Sequence, residues 1–331
     1  MQPKHRVVIT DMIADDLEPE REILGDIAEV IAVDGHNENE LIGRVEDADA
    51  LMVYHHLSIT QQTIERLTQC RLIVRCGVGY DNVDHTFARE RGIAVANVPD
   101  YGTEEVADSA IGLLLSLTRG THLANSRLRA GQGDWTYEQV QPLARLRGRT
   151  FGIVGLGRIG SAAAIRAKAL GMDVAFYDPY KPYGYDKALG VRHVESFEEL
   201  VAQSFVLSLH CPLTEETRHI VDASVIRQMP KGSYLVNTAR GDVVNISAIP
   251  NAIASGQLAG AGIDVLPDEP PNAENPLVTA WRNPDHPAYE RVILNPHIAF
   301  YCEEGVREFR TKGAIACRRA ILGQPIPNVI N

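Results

Sequence analysis

Nine residues and one later carboxylate constrain this chain more than anything else in it. They are Gly152-Ile153-Val154-Gly155-Leu156-Gly157-Arg158-Ile159-Gly160, with Asp178 18 positions further on at the end of Val174-Ala175-Phe176-Tyr177. The apolar run 150–154 reads as a buried strand that breaks into G-x-G-x-x-G, and the alanine-rich stretch 161–170 reads as a helix. In this order each part has a task in holding a dinucleotide. Gly155 permits the tight turn, Gly157 lets the backbone approach a pyrophosphate, and Gly160 lets helix and strand pack closely. The helix N-terminus then offers free N–H groups and positive potential to phosphate. Asp178 falls where the second strand should end, in reach of both ribose hydroxyls. Its charge would repel a 2′-phosphate, which favours NAD over NADP, although Lys181 lies near enough in sequence to soften that preference.

A chain of 331 residues corresponds to about two domains at roughly 100–200 residues each. Hydrophobic residues make up 45% of it, enough for sizeable cores, while 43 acidic against 32 basic residues leave a net charge of −11. That balance disfavours contact with nucleic acid or an anionic membrane surface. The apolar run 110–117 is too short to span a bilayer, and the first residues lack the apolar core of a secretory leader. Cys70, Cys76, Cys211, Cys302 and Cys317 form no C-x-x-C pair and no metal-type spacing, so no metal site is expected. They read as thiols of a reducing, cytoplasmic compartment, mostly small buried hydrophobes.

Strand-like runs at 6–10, 29–33, 50–54, 71–74 and 93–97 alternate with helical stretches such as 60–67 and 84–91. Alternation of this kind predicts an open, mostly parallel α/β sheet. One long helix is expected over 103–128, and the turn-rich segment 131–149, with Trp135 and Pro142, reads as an arm. A second α/β unit begins at Thr150, with strands expected at 150–154, 173–177, 205–209, 233–237, 259–264 and 292–294. The proline- and acid-rich stretch 267–290 reads as a surface loop, and a last helix runs over about 303–322.

In three places polar residues follow a strand end at once: Asn237-Thr238-Ala239-Arg240-Gly241, Asp264 running on to Asp268-Glu269-Pro270, and Asn295-Pro296-His297-Ile298-Ala299. In an open parallel sheet such ends face the ligand crevice. The ordered motifs G-L-G-R-I-G, H-C-P-L-T, N-T-A-R-G, D-E-P and N-P-H-I-A resemble those of the D-isomer-specific 2-hydroxyacid dehydrogenases, over nearly the whole chain. The segments 73–84, 176–180 and 297–301 are most similar to the C-terminal-binding-protein branch of that family.

The resemblance implies a catalytic set of Arg240, Glu269 and His297, spaced 29 and 28 residues apart. The chemistry is coherent. A guanidinium can polarise a 2-oxo acid carbonyl and pair with its carboxylate, and an imidazole suits proton delivery near neutrality. An acid beside the imidazole would orient it and favour its charged form. For the cofactor, the resemblance implies Arg158 and Ile159 in the phosphate loop, Cys211, Pro212 and Thr217 on the adenosine side, Thr238 and Ala239, and Asp264 at the nicotinamide carboxamide. Asp264 read alone has a lesser alternative, a strand-end carboxylate capping a turn, and His210 reads as packing. For the substrate it implies the backbone of Val78 and Gly79, together with Arg75, His297 and Arg240. Arg75 alone reads equally well as a plain surface arginine, and His55 carries less than its position promises. Phe300 stands where the corepressor relatives have tryptophan, so their preferred substrate does not carry over.

The implied architecture is two doubly wound parallel-sheet domains with a cleft between them. A discontinuous flavodoxin-like substrate domain (1–101 and 297–331) would close by a hinge onto a Rossmann NAD-binding domain (102–296). The helix after Thr103 and the Trp135 arm look like the family's dimer-forming elements. Two functions are expected to compete: an NAD-dependent D-2-hydroxyacid dehydrogenase, and an NAD(H)-responsive interaction protein of the corepressor type. A chain ending at Asn331 favours the plain enzyme, and argues against the large feedback-regulated phosphoglycerate type.

Overall fold

The computed structural model describes residues 5–331, and the chain divides into two compact units, Met1–Gly102 with Tyr301–Asn331 and Thr103–Phe300. The first carries β1 (His5–Ile9), β2 (Ala28–Ala32), β3 (Ala50–Val53), β4 (Leu72–Arg75) and β5 (Ala94–Asn97), all parallel, in the order β2-β1-β3-β4-β5. That is the flavodoxin-like order. The strands ALMV and LIVR are buried at every position because helices cover both faces of a parallel sheet. Val8, Leu51, Val53, Ile73 and Val95 share one core cluster. On the other face the helix Glu303–Ile321 passes so close that a Cβ on Gly313 would lie 2.6 Å from Cys76 Sγ and 2.9 Å from Met52 Cε. Arg310 of this helix is buried and bonds Glu20, itself fully buried, and Asp15, tying the returning segment to the N-terminal helix Glu18–Leu24.

The second unit carries β6 (Thr150–Val154), β7 (Asp173–Tyr177), β8 (Arg192–His193), β9 (Val206–Leu209), β10 (Ser233–Asn237), β11 (Leu258–Ile263) and β12 (Val292–Leu294). They form one parallel sheet in the order β12-β11-β10-β9-β6-β7-β8. Strand order reverses between β6 and β9, which makes a crevice at their carboxyl ends the expected ligand position. Alternate residues serve two cores, as a period of two requires. Phe151, Ile153, Val174, Phe176, Val206 and Val236 pack with Ala110, Leu113, Leu114 and Leu117 of the helix Thr103–Arg119. Ala175, Leu207, Leu209 and Leu235 pack on the opposite side with Leu200, Ile249 and Leu277.

Three expectations need correction. The helix expected over 103–128 is two helices, Thr103–Arg119 and Thr121–Arg129, broken at Gly120. Gly120 has φ +63, and a Cβ there would lie 2.8 Å from Val140, so the break serves packing of the arm. The stretch 267–290 is not wholly loop: it contains helices Pro276–Arg282 and Ala288–Arg291, and Leu277 and Val278 are buried. The unit boundary falls after Phe300 and not before His297, because segment 297–300 is bonded to Asp264 and to Ser109. Cys70, Cys76, Cys211 and Cys317 are buried. Among the described residues no helix is long and apolar enough to cross a membrane.

Candidate active site

The glycine loop after β6 is shaped by backbone contacts that exclude any side chain. Gly155 has φ +88, and a Cβ there would lie 2.9 Å from the Cys211 backbone, so the loop sits directly against the chain leaving β9. A Cβ on Gly160 would lie 2.2 Å from the Gly155 carbonyl oxygen, which is the close helix–strand approach expected of the third glycine. Gly157 meets nothing within 4 Å and opens outward. It is also the N-cap of the helix Arg158–Ala169 and supplies no side-chain cap, so the first-turn N–H groups of Arg158, Ile159 and Gly160 remain available to an anion. Asp178, buried at the end of β7, accepts from Leu156 N at 2.9 Å and Tyr180 N at 3.0 Å, one bond on each oxygen. Each oxygen keeps lone-pair capacity for a hydroxyl. Lys181 is drawn away over the Tyr185 ring, 4.8 Å from its centroid.

Around this loop several buried polar atoms lack a protein partner among the described residues: Ser161 Oγ, Thr238 Oγ1 and His210 Nδ1. Buried polar groups are nearly always bonded, so such orphans beside a glycine cradle fit a polar ligand. His210 Nε2 lies 2.9 Å from Ser208 Oγ, and burial pushes its imidazole down to about 4, which keeps it neutral. Burial likewise pushes the Cys211 thiol up to about 12. Thr217 organises the loop after Pro212, accepting from Thr214 N and donating to Pro212 O.

Three further strand ends, those of β10, β11 and β12, carry charged and imidazole side chains. At the end of β10, Asn237 folds its side chain into the turn, accepting from Ala239 N at 3.0 Å and donating to Arg240 O at 2.9 Å. Gly241 follows because a Cβ there would lie 2.0 Å from the Leu266 backbone. The Arg240 turn is thereby pressed against the loop that leaves β11. In that loop Glu269 Oε1 accepts from Leu266 N at 2.7 Å, and Oε2 is 2.7 Å from His297 Nδ1. Burial raises the Glu269 carboxyl, but the bond to His297, its charge, the Leu266 N–H and the Arg240 charge outweigh burial and hold it below the usual glutamate range.

His297 occupies the left-handed region, φ +53, where a non-glycine residue is strained unless held. Asp264 holds it. The Asp264 carbonyl accepts from His297 N at 2.8 Å, and its carboxylate accepts from Ile298 N at 3.1 Å and Ala299 N at 3.0 Å. Asp264 is 1% exposed, and burial pushes its carboxyl up against those two N–H bonds and the His297 charge. Phe300 stands edge-on to the imidazole, ring centroids 6.0 Å apart. One sheet edge thus gathers a guanidinium, a carboxylate–imidazole pair and a clamp beneath the imidazole.

The family sequence model described as "D-isomer specific 2-hydroxyacid dehydrogenase, NAD binding domain" matches residues 111–299. The chain belongs to the D-isomer-specific 2-hydroxyacid dehydrogenase family. Over 326 residues it is 34% identical to the D-3-phosphoglycerate dehydrogenase of Methanocaldococcus jannaschii, covering 98% of this chain and 59% of that protein. Over 317 residues it is 34% identical to C-terminal-binding protein 1 of Caenorhabditis elegans, covering 93% of this chain and 42% of that one. The chain therefore spans about half the length of these relatives. A solved D-lactate dehydrogenase from Aquifex aeolicus, complexed with NAD and lactic acid, is 27% identical with TM-score 0.85, covering 96% of each chain.

As a member of this family the chain uses NAD, and its second unit is the family's NAD-binding domain. Two residues given no role, or a different one, in the sequence reading shape its site. Asn237 sets the Arg240 turn, and its asparagine directly at a strand end was the available signal. Asp264 clamps 297–299, a long-range bond that no local pattern encodes.

The first unit has its own expected contacts. Arg75, at the end of β4, is 3% exposed and is not a plain surface arginine. Its guanidinium lies across Gly77, where a Cβ would fall 1.4 Å from Nη1, so the glycine is there to make room for it. Val78 and Gly79 follow in a half-buried loop anchored by Asn97 Nδ2 to Val78 O at 2.7 Å.

Proposed function

We propose that the protein is an NAD-dependent oxidoreductase interconverting a 2-oxo acid and a D-2-hydroxy acid. The observation that carries this reading is the 2.7 Å contact between His297 Nδ1 and Glu269 Oε2 beside the Arg240 turn. NADH supplies the hydride that goes to the carbonyl carbon. Imidazole Nε2, with Nδ1 fixed by Glu269, gives its proton to the carbonyl oxygen in reduction and takes it back in oxidation. Arg240 pairs with the carboxylate and polarises the carbonyl as negative charge grows on its oxygen. Asp178 takes the ribose hydroxyls, and the Gly157–Gly160 turn takes the pyrophosphate. Cys211, Pro212 and Thr217 line the adenosine side, and Thr238 and Ala239 approach the nicotinamide half. In the first unit, Arg75 and the backbone of Val78 and Gly79 serve the substrate anion. Phe300, an aromatic wall beside the imidazole, favours an apolar substituent on the substrate.

The test is a panel of 2-oxo acids with NADH, read by nicotinamide absorbance. At least one acid should be turned over, and His297→Ala should abolish turnover while leaving NADH binding intact. A full rate in His297→Ala removes the histidine from its role. A second reading, an NAD(H)-responsive interaction protein, is favoured by the 34% identity to C-terminal-binding protein 1. Tight NADH binding with no acid turned over would select it. A cytoplasmic homodimer belongs to the same proposal, and light scattering that gives a monomer at micromolar concentration refutes the dimer.

A further inference from the structure

In the loop that leaves β4, carbonyl groups are engaged where N–H groups are not. Gly77 N turns back onto Arg75 O at 2.8 Å, and the end of β5 holds the next two carbonyls. Gly77 O accepts from Val98 N at 3.1 Å, and Val78 O accepts from Asn97 Nδ2 at 2.7 Å. A trans peptide is planar, so its N–H points opposite to its carbonyl. The N–H groups that share a peptide plane with those carbonyls are Val78 N and Gly79 N, and both are turned away from β5. Among the described residues neither has a protein partner, although the loop is half-buried. Successive backbone donors presented from one turn can receive an anion. We infer that Asn97 is a positioning residue for the substrate: its amide fixes the Val78–Gly79 peptide so that the Gly79 N–H, and not the Val78 carbonyl, meets a substrate carboxylate. The inference rests on the reading of the protein as a 2-hydroxyacid dehydrogenase and assigns a residue that reading leaves without a role.

The chemistry of the contact fixes which way the amide sits. Val78 O can only accept, so the amide must present its nitrogen there. The strand end that carries the amide is held on both sides. Toward β4, Asn97 pairs in register with Arg75, whose guanidinium is assigned to the same anion. On the outer edge of β5, Asn97 N donates to Asn328 O at 3.3 Å, and Val329 bridges Ala96 antiparallel. Ile330 N donates to Val95 O at 2.9 Å, and Val95 N donates to Asn331 Oδ1 at 2.8 Å. Asn97 therefore reaches Val78 from a fixed point. The competing explanation makes Asn97 a plain loop anchor. An anchor needs only one bond across the gap, and Val98 N to Gly77 O already supplies it. The second bond adds direction. Without it the Val78–Gly79 plane can rotate and present its carbonyl oxygen, whose partial negative charge repels a carboxylate. An N–H in that place donates to a charged acceptor, a bond roughly twice as strong as one to a neutral acceptor.

The test is calorimetric titration of oxamate, a 2-oxo acid isostere that takes no hydride, into the full chain saturated with NADH. Asn97→Asp and Asn97→Ala are compared with the wild type. In Asn97→Asp a carboxylate oxygen meets Val78 O, the two acceptors repel, and the peptide turns over. Oxamate should then bind at least about tenfold more weakly, as loss of one charge-assisted bond requires, with NADH affinity unchanged. Asn97→Ala frees the peptide without reversing it, so its loss should be smaller, at least about threefold; that variant carries the test if Asn97→Asp does not fold. With the acid of the 2-oxo acid panel that is reduced fastest, KM should rise by the same factors while kcat is kept, because a carboxylate contact is equal in ground and transition states. Loss of a mere anchor would lower kcat and the thermal midpoint and leave KM in place, and that result overturns the inference. Oxamate affinity equal to wild type in both variants overturns it too, and leaves the dehydrogenase reading standing. Wild-type protein that binds no oxamate and reduces no acid overturns the dehydrogenase reading, and the role of Asn97 with it.

Discussion

Replacing Glu269 by glutamine isolates the charge of the acid–base pair, because Leu266 N fixes how the amide must sit. Leu266 N donates to Glu269 Oε1 at 2.7 Å, so the amide oxygen of the introduced glutamine stays at that position and its NH2 group takes the place of Oε2. A donor then faces His297 Nδ1 where an acceptor stood at 2.7 Å. An imidazole protonated on both nitrogens cannot satisfy that contact, yet it is the form that the proposed mechanism requires to give up a proton in reduction. A hydrogen bond to a charged partner contributes about 1.5–3 kcal/mol. The two side chains are 25% and 35% exposed, so screening by solvent puts the loss near the lower end, about 1.5 kcal/mol. At 1.36 kcal/mol per decade, Glu269→Gln should lower kcat/KM for 2-oxo acid reduction roughly tenfold at neutral pH. The drop should be smaller in the oxidation direction, which starts from the neutral ring. Steady-state rates in both directions, beside an NADH fluorescence titration, give the comparison. Unchanged kcat/KM with NADH binding intact would show that the pair does not act in proton transfer.

Other substitutions separate scaffold from site. Asp264→Asn leaves one of the Ile298 and Ala299 N–H groups facing an amide NH2, so kcat should fall about tenfold with NADH affinity kept; a fall in NADH affinity at constant kcat would instead mark Asp264 as a nicotinamide contact. Gly160→Ala drives a methyl to 2.2 Å from the Gly155 carbonyl, and should cost about 1–3 kcal/mol in urea denaturation and weaken NADH; wild-type values for both would mean the helix and strand can part freely. Arg310→Met strands the fully buried Glu20 and should destabilise by about 3–5 kcal/mol, with a loss below about 1 kcal/mol contradicting the buried-pair argument. The bond from Arg310 holds the Asp15 carboxyl below its usual 3.8, so its contribution is complete above that pH and is lost as pH falls through the depressed value; acid titration of Arg310→Met should lack that component.

Much of the fold was legible because parallel strands buried on both faces leave continuous apolar runs. In the second unit β6, β7, β10 and β12 fall at the residues expected, each bounded by a glycine, an aspartate or an asparagine. What was missed has non-local causes or a conflicting signal. Gly120 breaks a periodic helix only because Val140, twenty residues on, occupies the space of its Cβ. The helix Pro276–Arg282 did announce itself, with Asn275 as cap and proline at its first position, but the surrounding proline and acid content spoke for a loop. The two-residue β8 is too short to have a period at all.

The two halves of the candidate site differ in the same way. The cofactor half rests on glycines, whose role is to have no side chain, and a backbone that tight is written into the six residues from Gly155 to Gly160. The acid–base half rests on side chains 29 and 28 positions apart, so its members could be named by motif but not their supports. Gly241 against Leu266, Asn237 under Arg240 and Asp264 under His297 join neighbouring strand ends, and each appears only when β10, β11 and β12 lie side by side in register. The left-handed backbone of His297 makes the point physically. Histidine does not adopt it unaided, and the bond that stabilises it comes from Asp264, 33 residues earlier and just past the end of β11, so the geometry proposed for proton transfer is a property of the sheet edge and not of the N-P-H-I-A segment that carries the imidazole.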